Sequence, residues 1–107
     1  MSDKVVELTD ATFAEGIQEG VTLVDFYGTW CPPCKQLEPV VEKLAEDFSG
    51  RAQVAKLNVD DNSEAAVDNS VEDIPTLIIF KDGKEVERLF GAQKYETLAE
   101  ELARQTT

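Results

Sequence analysis

The sequence predicts an α/β domain with a five-stranded mixed sheet and four helices, and three observations lead there. Up to Val67, short apolar runs alternate with helical patterns, which implies parallel strands joined by crossover helices. Beyond Thr76, two strand-like runs flank Asp82-Gly83, a strong hairpin signal that adds antiparallel strands to the same sheet. The chain has 107 residues, which suits one hydrophobic core, so residues 1–107 are expected to form a single domain.

Residues 4–8 are short and Val-containing, and read as an edge strand. Thr9 and Asp10 are the candidate N-caps of a short helix that carries Phe13 and Ile17 on one face and ends at Gly20. Residues 21–27 form a mostly apolar run, as a strand buried on both faces requires, and Asp25 is its one charge. From Cys34 onward, Leu37, Val40, Val41, Leu44, Ala45 and Phe48 line one face of an amphipathic helix that Gly50 stops. Pro39 lies inside that pattern and predicts a kink. Residues 52–59 read as a strand, and Ser63 as the cap of a short helix through Val67. Residues 76–80 and 85–90 are the hairpin strands. Residues 95–104 close the chain as a helix with Leu98, Ala99, Leu102 and Ala103 on one face, giving the order βαβαβαββα.

Ten basic and 22 acidic residues give a formal net charge of −12, which argues against binding nucleic acid, where affinity comes from neutralising phosphates. No stretch approaches the ~20 apolar residues of a membrane span. Met1-Ser2-Asp3-Lys4 lacks the basic-then-apolar pattern of a signal peptide, so a cytoplasmic location is expected, and a monomer is the default for this size and surface. Asp60-Asp61-Asn62-Ser63-Glu64 lacks the glycine and spacing of a calcium loop and reads as a solvated turn. Two cysteines without a histidine do not make a complete structural metal site, so no metal is expected.

The chemistry concentrates in Trp30-Cys31-Pro32-Pro33-Cys34-Lys35, where a buried strand hands over to a long helix. Cysteines three apart on a first helical turn share a face and can close a small disulfide ring. Cys31 would sit at the helix N-terminus, where unpaired N–H groups and the helix dipole stabilise a thiolate that attacks another disulfide. Cys34, one turn in, is expected to be more buried and to resolve the mixed disulfide. Two other readings stand beside redox chemistry: a structural disulfide, which over so short a loop stabilises little, and half of a metal or iron–sulfur site shared between two chains. Asp25, inside an apolar strand beneath the cysteines, is costly to ionise there. It could accept the proton of Cys34, directly or through a water, with Lys56 on the neighbouring strand modulating it. Alternatively, Asp25 and Lys56 form a plain buried ion pair. Pro75 opens a strand, and Trp30 and Tyr27 could by themselves be core.

The sequence resembles the thioredoxin family over essentially its whole length. The likeness is carried by Leu23-Val24-Asp25-Phe26, Trp30-Cys31, Pro33-Cys34-Lys35, Pro39, Lys56-Leu57-Asn58, Ile74-Pro75-Thr76, Lys81-Asp82-Gly83 and Gly91-Ala92. The resemblance implies the thioredoxin fold and a protein disulfide reductase with no cofactor beyond its own dithiol, re-reduced by a thioredoxin reductase. It matches Cys31 to the attacking cysteine, Cys34 to the resolving one and Asp25 to the buried acid. Pro75 matches a cis-proline packed against the disulfide, with Ile74 offering its backbone to a substrate strand. Trp30, Ile74, Gly91 and Ala92 match a flat apolar patch where partner proteins dock.

Three departures from the family pattern stand out. Pro32 stands where glycine is usual, which removes an N–H from the helix start and stiffens the loop beside Pro33. Tyr27 replaces a usual tryptophan. Glu72-Asp73 puts two negative charges just before Ile74, in the docking loop, where they should disfavour the Cys31 thiolate and repel acidic partners. The alternatives to a reductase are a disulfide oxidase or isomerase of the same fold, which Pro32 brings to mind, and a partner-binding module with incidental redox activity.

Overall fold

The structure, a computed structural model, describes residues 4–107. Met1, Ser2 and Asp3, on which the reading of a leaderless start rests, lie outside the described residues. Five strands, β1 (Val5–Leu8), β2 (Val21–Tyr27), β3 (Gln53–Asn58), β4 (Thr76–Lys81) and β5 (Lys84–Phe90), alternate with α1 (Phe13–Gly16), α2 (Pro32–Asp47), α3 (Ser63–Asp68) and α4 (Tyr95–Thr106) in the expected order. The sheet runs β1-β3-β2-β4-β5, with β1, β3 and β2 parallel and β2, β4 and β5 antiparallel. The α/β architecture matches the sequence pattern, and the topology is the thioredoxin fold that the family resemblance implies.

Central strand β2 has apolar clusters on both faces. Leu23 and Val21 join Val54, Leu77 and Ile79 beneath Leu37, Val41 and Leu44 of α2 and Leu98 and Leu102 of α4. Val24 and Phe26 face the other way, with Leu8, Ile17, Leu57, Ala65 and Ile78. Phe13 closes that second core, its ring edge-on to Phe80 at 5.6 Å and tilted against Phe26 at 6.1 Å. The alternation in β2 sends Asp25 to the α2 side, with Leu23.

The hairpin turns at Asp82 (φ 50°) and Gly83 (φ 87°), both left-handed, as the two-residue turn between twisted strands requires. Asp82 also braces the entry to β2: its carboxylate accepts from the Gly20 N–H at 2.9 Å, and its own N–H donates to the Gly20 carbonyl at 2.9 Å.

Three local expectations change. The first helix is only four residues long and its N-cap is Thr12; Thr9 and Asp10 do not cap it. Asp10 instead serves α3, where its carboxylate accepts from the N–H of Ala65 at 2.7 Å and of Glu64 at 3.3 Å. Ser63 is therefore the first residue of α3, not its cap, and Asn62 at the cap position makes no side-chain capping bond. A tertiary carboxylate has replaced the local caps, because β1 and β3 run parallel and bring the loops that follow them together. Third, the kink expected at Pro39 does not divide the helix; α2 runs as one element with Pro39 exposed.

Asp10→Ala should lower stability by about 1 kcal/mol, as loss of an N-cap does elsewhere. Asp10→Asn should recover much of that loss, and denaturant midpoints of the three proteins check both.

Candidate active site

The site is built where β2 leaves the sheet and α2 begins. Gly28 is buried in that turn, and a Cβ there would lie 2.8 Å from Ile74 Cδ1 and 3.4 Å from both Trp30 Nε1 and Asp60 Oδ2. Any side chain at this position must displace the tip of Ile74, so glycine lets Trp30, Ile74 and Asp60 converge.

Cys31 is the N-cap of α2, in extended backbone, and its Sγ accepts from the N–H of Cys34 at 3.2 Å. Pro32 and Pro33 occupy the next two positions, where their fixed φ suits a helix start and neither supplies an N–H. The Lys35 N–H is taken by the Cys31 carbonyl at 3.1 Å. Within this first turn, the Cys31 sulfur therefore receives one backbone N–H, supplemented by the positive end of the helix dipole.

Cys31 and Cys34 are joined as a disulfide, with their Cα atoms 5.2 Å apart. Cys34 is not the more buried of the two, as the sequence suggested: each is 3 % exposed. The loop before β4 covers Cys31, placing the Ile74 carbonyl oxygen 3.9 Å from its Sγ. Pro75, next in that loop, is buried, and its peptide bond with Ile74 is cis. The Pro75 carbonyl accepts from the Gly91 N–H at 2.9 Å, which ties the end of β5 to the same rim; Gly91 holds a left-handed φ of 82° and Ala92 is exposed. Trp30 lies out in solvent at 69 % exposure, and its indole N–H donates to Asp60 Oδ2 at 3.1 Å. The structure thus gathers Trp30, Cys31, Ile74, Pro75 and Gly91 around one rim, although the chain scatters them. Glu72 and Asp73 precede Ile74 and are exposed, and the Asp73 carbonyl accepts from the Thr76 hydroxyl at 2.6 Å.

Asp25 lies in the middle of β2, 4 % exposed, with Lys56 abreast on β3 and Leu77 abreast on β4. Its Oδ1 is buried without a hydrogen-bond partner among the described residues. Burial pushes the Asp25 pKa up from 3.8 to about 7; Lys56 pulls it down, and Glu38 and Glu7 push it further up. The plain Asp25–Lys56 ion pair does not form, because Lys56 pairs with Glu7 of β1 at 3.8 Å. A carboxyl poised near neutrality on the α2 side of the sheet can both take and return a proton there.

Four contributors escaped the sequence reading. Gly28 and Asp60 are brought to Trp30 by the fold, with Asp60 thirty residues distant in the chain. Glu38 and Glu7 act on Asp25 from α2 and β1. No local pattern flags such residues; only the strand register would have pointed to Glu7. Among the described residues, no group of three or more His, Cys, Asp and Glu side chains could hold a metal ion.

A family model described as Thioredoxin matches residues 4–104. Over 98 residues the chain is 52 % identical to a thioredoxin of Staphylococcus haemolyticus, covering 92 % of this chain and 94 % of that one. It is 50 % identical, with the same coverage, to a thioredoxin of Staphylococcus aureus. Among solved structures, a mutant thioredoxin from Halobacterium salinarum superposes with a TM-score of 0.85 at 36 % identity, covering 100 % of this chain and 96 % of that one. Thioredoxins need no cofactor beyond their cysteine pair, and this chain belongs to the thioredoxin family and is a thiol–disulfide oxidoreductase that reduces disulfides by dithiol–disulfide exchange.

Proposed function

We propose that Cys31 is the attacking thiolate, Cys34 the resolving thiol and Asp25 the acceptor of the Cys34 proton. In the reduced protein, Cys31 Sγ attacks one sulfur of a substrate disulfide, and the substrate's S–S bond breaks as a mixed disulfide forms. The displaced substrate thiolate takes a proton from solvent. Asp25 then accepts the proton of Cys34, and Cys34 Sγ attacks Cys31 Sγ, releasing the second substrate thiolate. Two electrons have passed to the substrate, and the Cys31–Cys34 disulfide remains. The observation that carries this reading is the position of Cys31 Sγ, at the start of α2 on the Cys34 N–H, with the Ile74 carbonyl beside it.

Family membership implies disulfide-bearing substrates and a thioredoxin reductase as partners. In this reading a substrate segment lies across Trp30, Ile74, Gly91 and Ala92 and pairs with the backbone at Ile74, next to Pro75. Pro32, Pro33, Lys56 and Pro75 tune the pair, while Glu72 and Asp73 select against acidic partners. The chain works as one domain, residues 1–107, as a monomer in the cytoplasm. No helix among the described residues is long and apolar enough to cross a membrane.

The direct test is trapping. With a disulfide-bonded substrate, Cys34→Ser should accumulate a mixed disulfide through Cys31, and Cys31→Ser should form none; mass spectrometry distinguishes them. A Cys31→Ser protein that still forms the adduct would reverse the assignment. Asp25→Asn should slow the resolving step about a hundredfold near neutral pH, the lower range for loss of a positioned base.

Asp25 also couples folding to pH. Folding raises its pKa from 3.8 to about 7, so the native state binds the proton more tightly than the unfolded chain. Its contribution to stability is fully present below pH 3.8, declines as pH rises toward 7, and stays lost above that. Asp25→Asn should therefore be more stable than the parent at pH 8, by about 2–4 kcal/mol. The difference should shrink on acidification, as denaturant melts across that range will show.

Replacing Glu72 and Asp73 together by glycine should raise the rate with an acidic disulfide substrate several-fold relative to a basic one, roughly what removing rim charges does to association. Unchanged relative rates would remove both residues from partner selection.

A further inference from the structure

Glu7, Lys56 and Tyr27 form a polar group that the exchange reaction does not itself use. The register places Glu7 of β1 opposite Lys56 of β3, and Lys56 opposite Asp25 of β2, so the three charges form one row across the sheet. Lys56 stands between two carboxylates and binds only the outer one, with Nζ 3.8 Å from Glu7 Oε1. Tyr27 holds that outer carboxylate: its hydroxyl is 3.1 Å from Glu7 Oε2 and 3.4 Å from Oε1. The Lys56 ammonium also lies 5.6 Å from the centroid of the Tyr27 ring, within range of a cation–π attraction.

The physical preference is clear. The side chains of Lys56 and Glu7 keep 38 % and 48 % of their exposure, so their contact leaves both charges partly solvated. Moving the ammonium to Asp25, itself 4 % exposed, would strip much of that water. The charged groups acting on Asp25 are Lys56 from β3, Glu7 from β1 and Glu38 from α2. Its β4 neighbour is the apolar Leu77, and Tyr27 lies two residues along β2 on the same face.

We propose that Glu7, steadied by the Tyr27 hydroxyl, is a positioning residue that holds Lys56 at the sheet edge and so keeps Asp25 without a salt-bridge partner. The functional consequence rests on Asp25 being the acceptor for Cys34. Released from Glu7, Lys56 would swing to Asp25 and stabilise its carboxylate, making it a weaker base.

The test is a double-mutant cycle in the oxidised protein, with the Asp25 carboxyl titration read by carbon NMR. Glu7→Gln should move the Asp25 midpoint down from about 7 by about one unit, the low end of the effect of an adjacent opposite charge. Tyr27→Phe should move it less, in the same direction. In a Lys56→Met background, Glu7→Gln should retain less than half of its effect. An unmoved midpoint overturns the proposal; so does an equal shift without Lys56, because Glu7 would then act through its own charge. In the reduced enzyme, the pH profile of the resolving step should shift toward acid with the titration. A titration shift with no change in that profile would refute Asp25 as proton acceptor while leaving the Glu7–Lys56 latch established.

Discussion

Strand β2 carries the constraint on which the rest depends. Six consecutive residues, Val21 to Phe26, are buried, with one core above the strand and another below. A slip of one residue would turn Leu23 and Val24 to the wrong cores and send Asp25 to the other face. The end of the strand is therefore fixed, and so are Gly28, the turn it permits and the start of α2. Cys31 is thus brought to the start of α2 by apolar packing several residues away, and the Cys34 N–H then receives its sulfur. The same packing strips water from Asp25, so the force that fixes the end of β2 also makes the carboxyl in its middle hold its proton up to about pH 7.

Much of the fold was legible because its signals are local. The apolar run of β2, the helical spacing from Leu37 to Phe48 and the Asp82-Gly83 turn each follow from periodicity or backbone conformation. The caps were not legible. Thr9, Asp10 and Ser63 all have side chains that cap helices, and nothing in their neighbourhoods says which one will do so. The choice was made by parallel pairing of β1 with β3, which carries Asp10 to a helix far along the chain.

The site divides in the same way. Cys31, Cys34, Pro32 and Pro33 lie within one helical turn, and their spacing announces it. Asp25 betrayed itself as a charge inside an apolar run. Its partnership with Lys56 was half legible: the two are abreast in the sheet, but an edge carboxylate on a third strand takes the ammonium. The hold of Asp60 on Trp30 was hidden in what looks like an ordinary acidic turn. Burial and alternation are written into short windows, whereas competition between distant polar groups is decided by the assembled sheet.

The carboxylate of Asp10 has a kinetic meaning as well as an energetic one. It supplies the acceptors for the first N–H groups of α3 across 55 residues of sequence, and its own N–H is returned to Asn62 Oδ1 at 2.9 Å. The entry to α3 is thus completed only after β1 has docked on β3. These bonds tie the amino-terminal edge to this short helix, so amide exchange in α3 should report on the docking of a strand far from it in sequence.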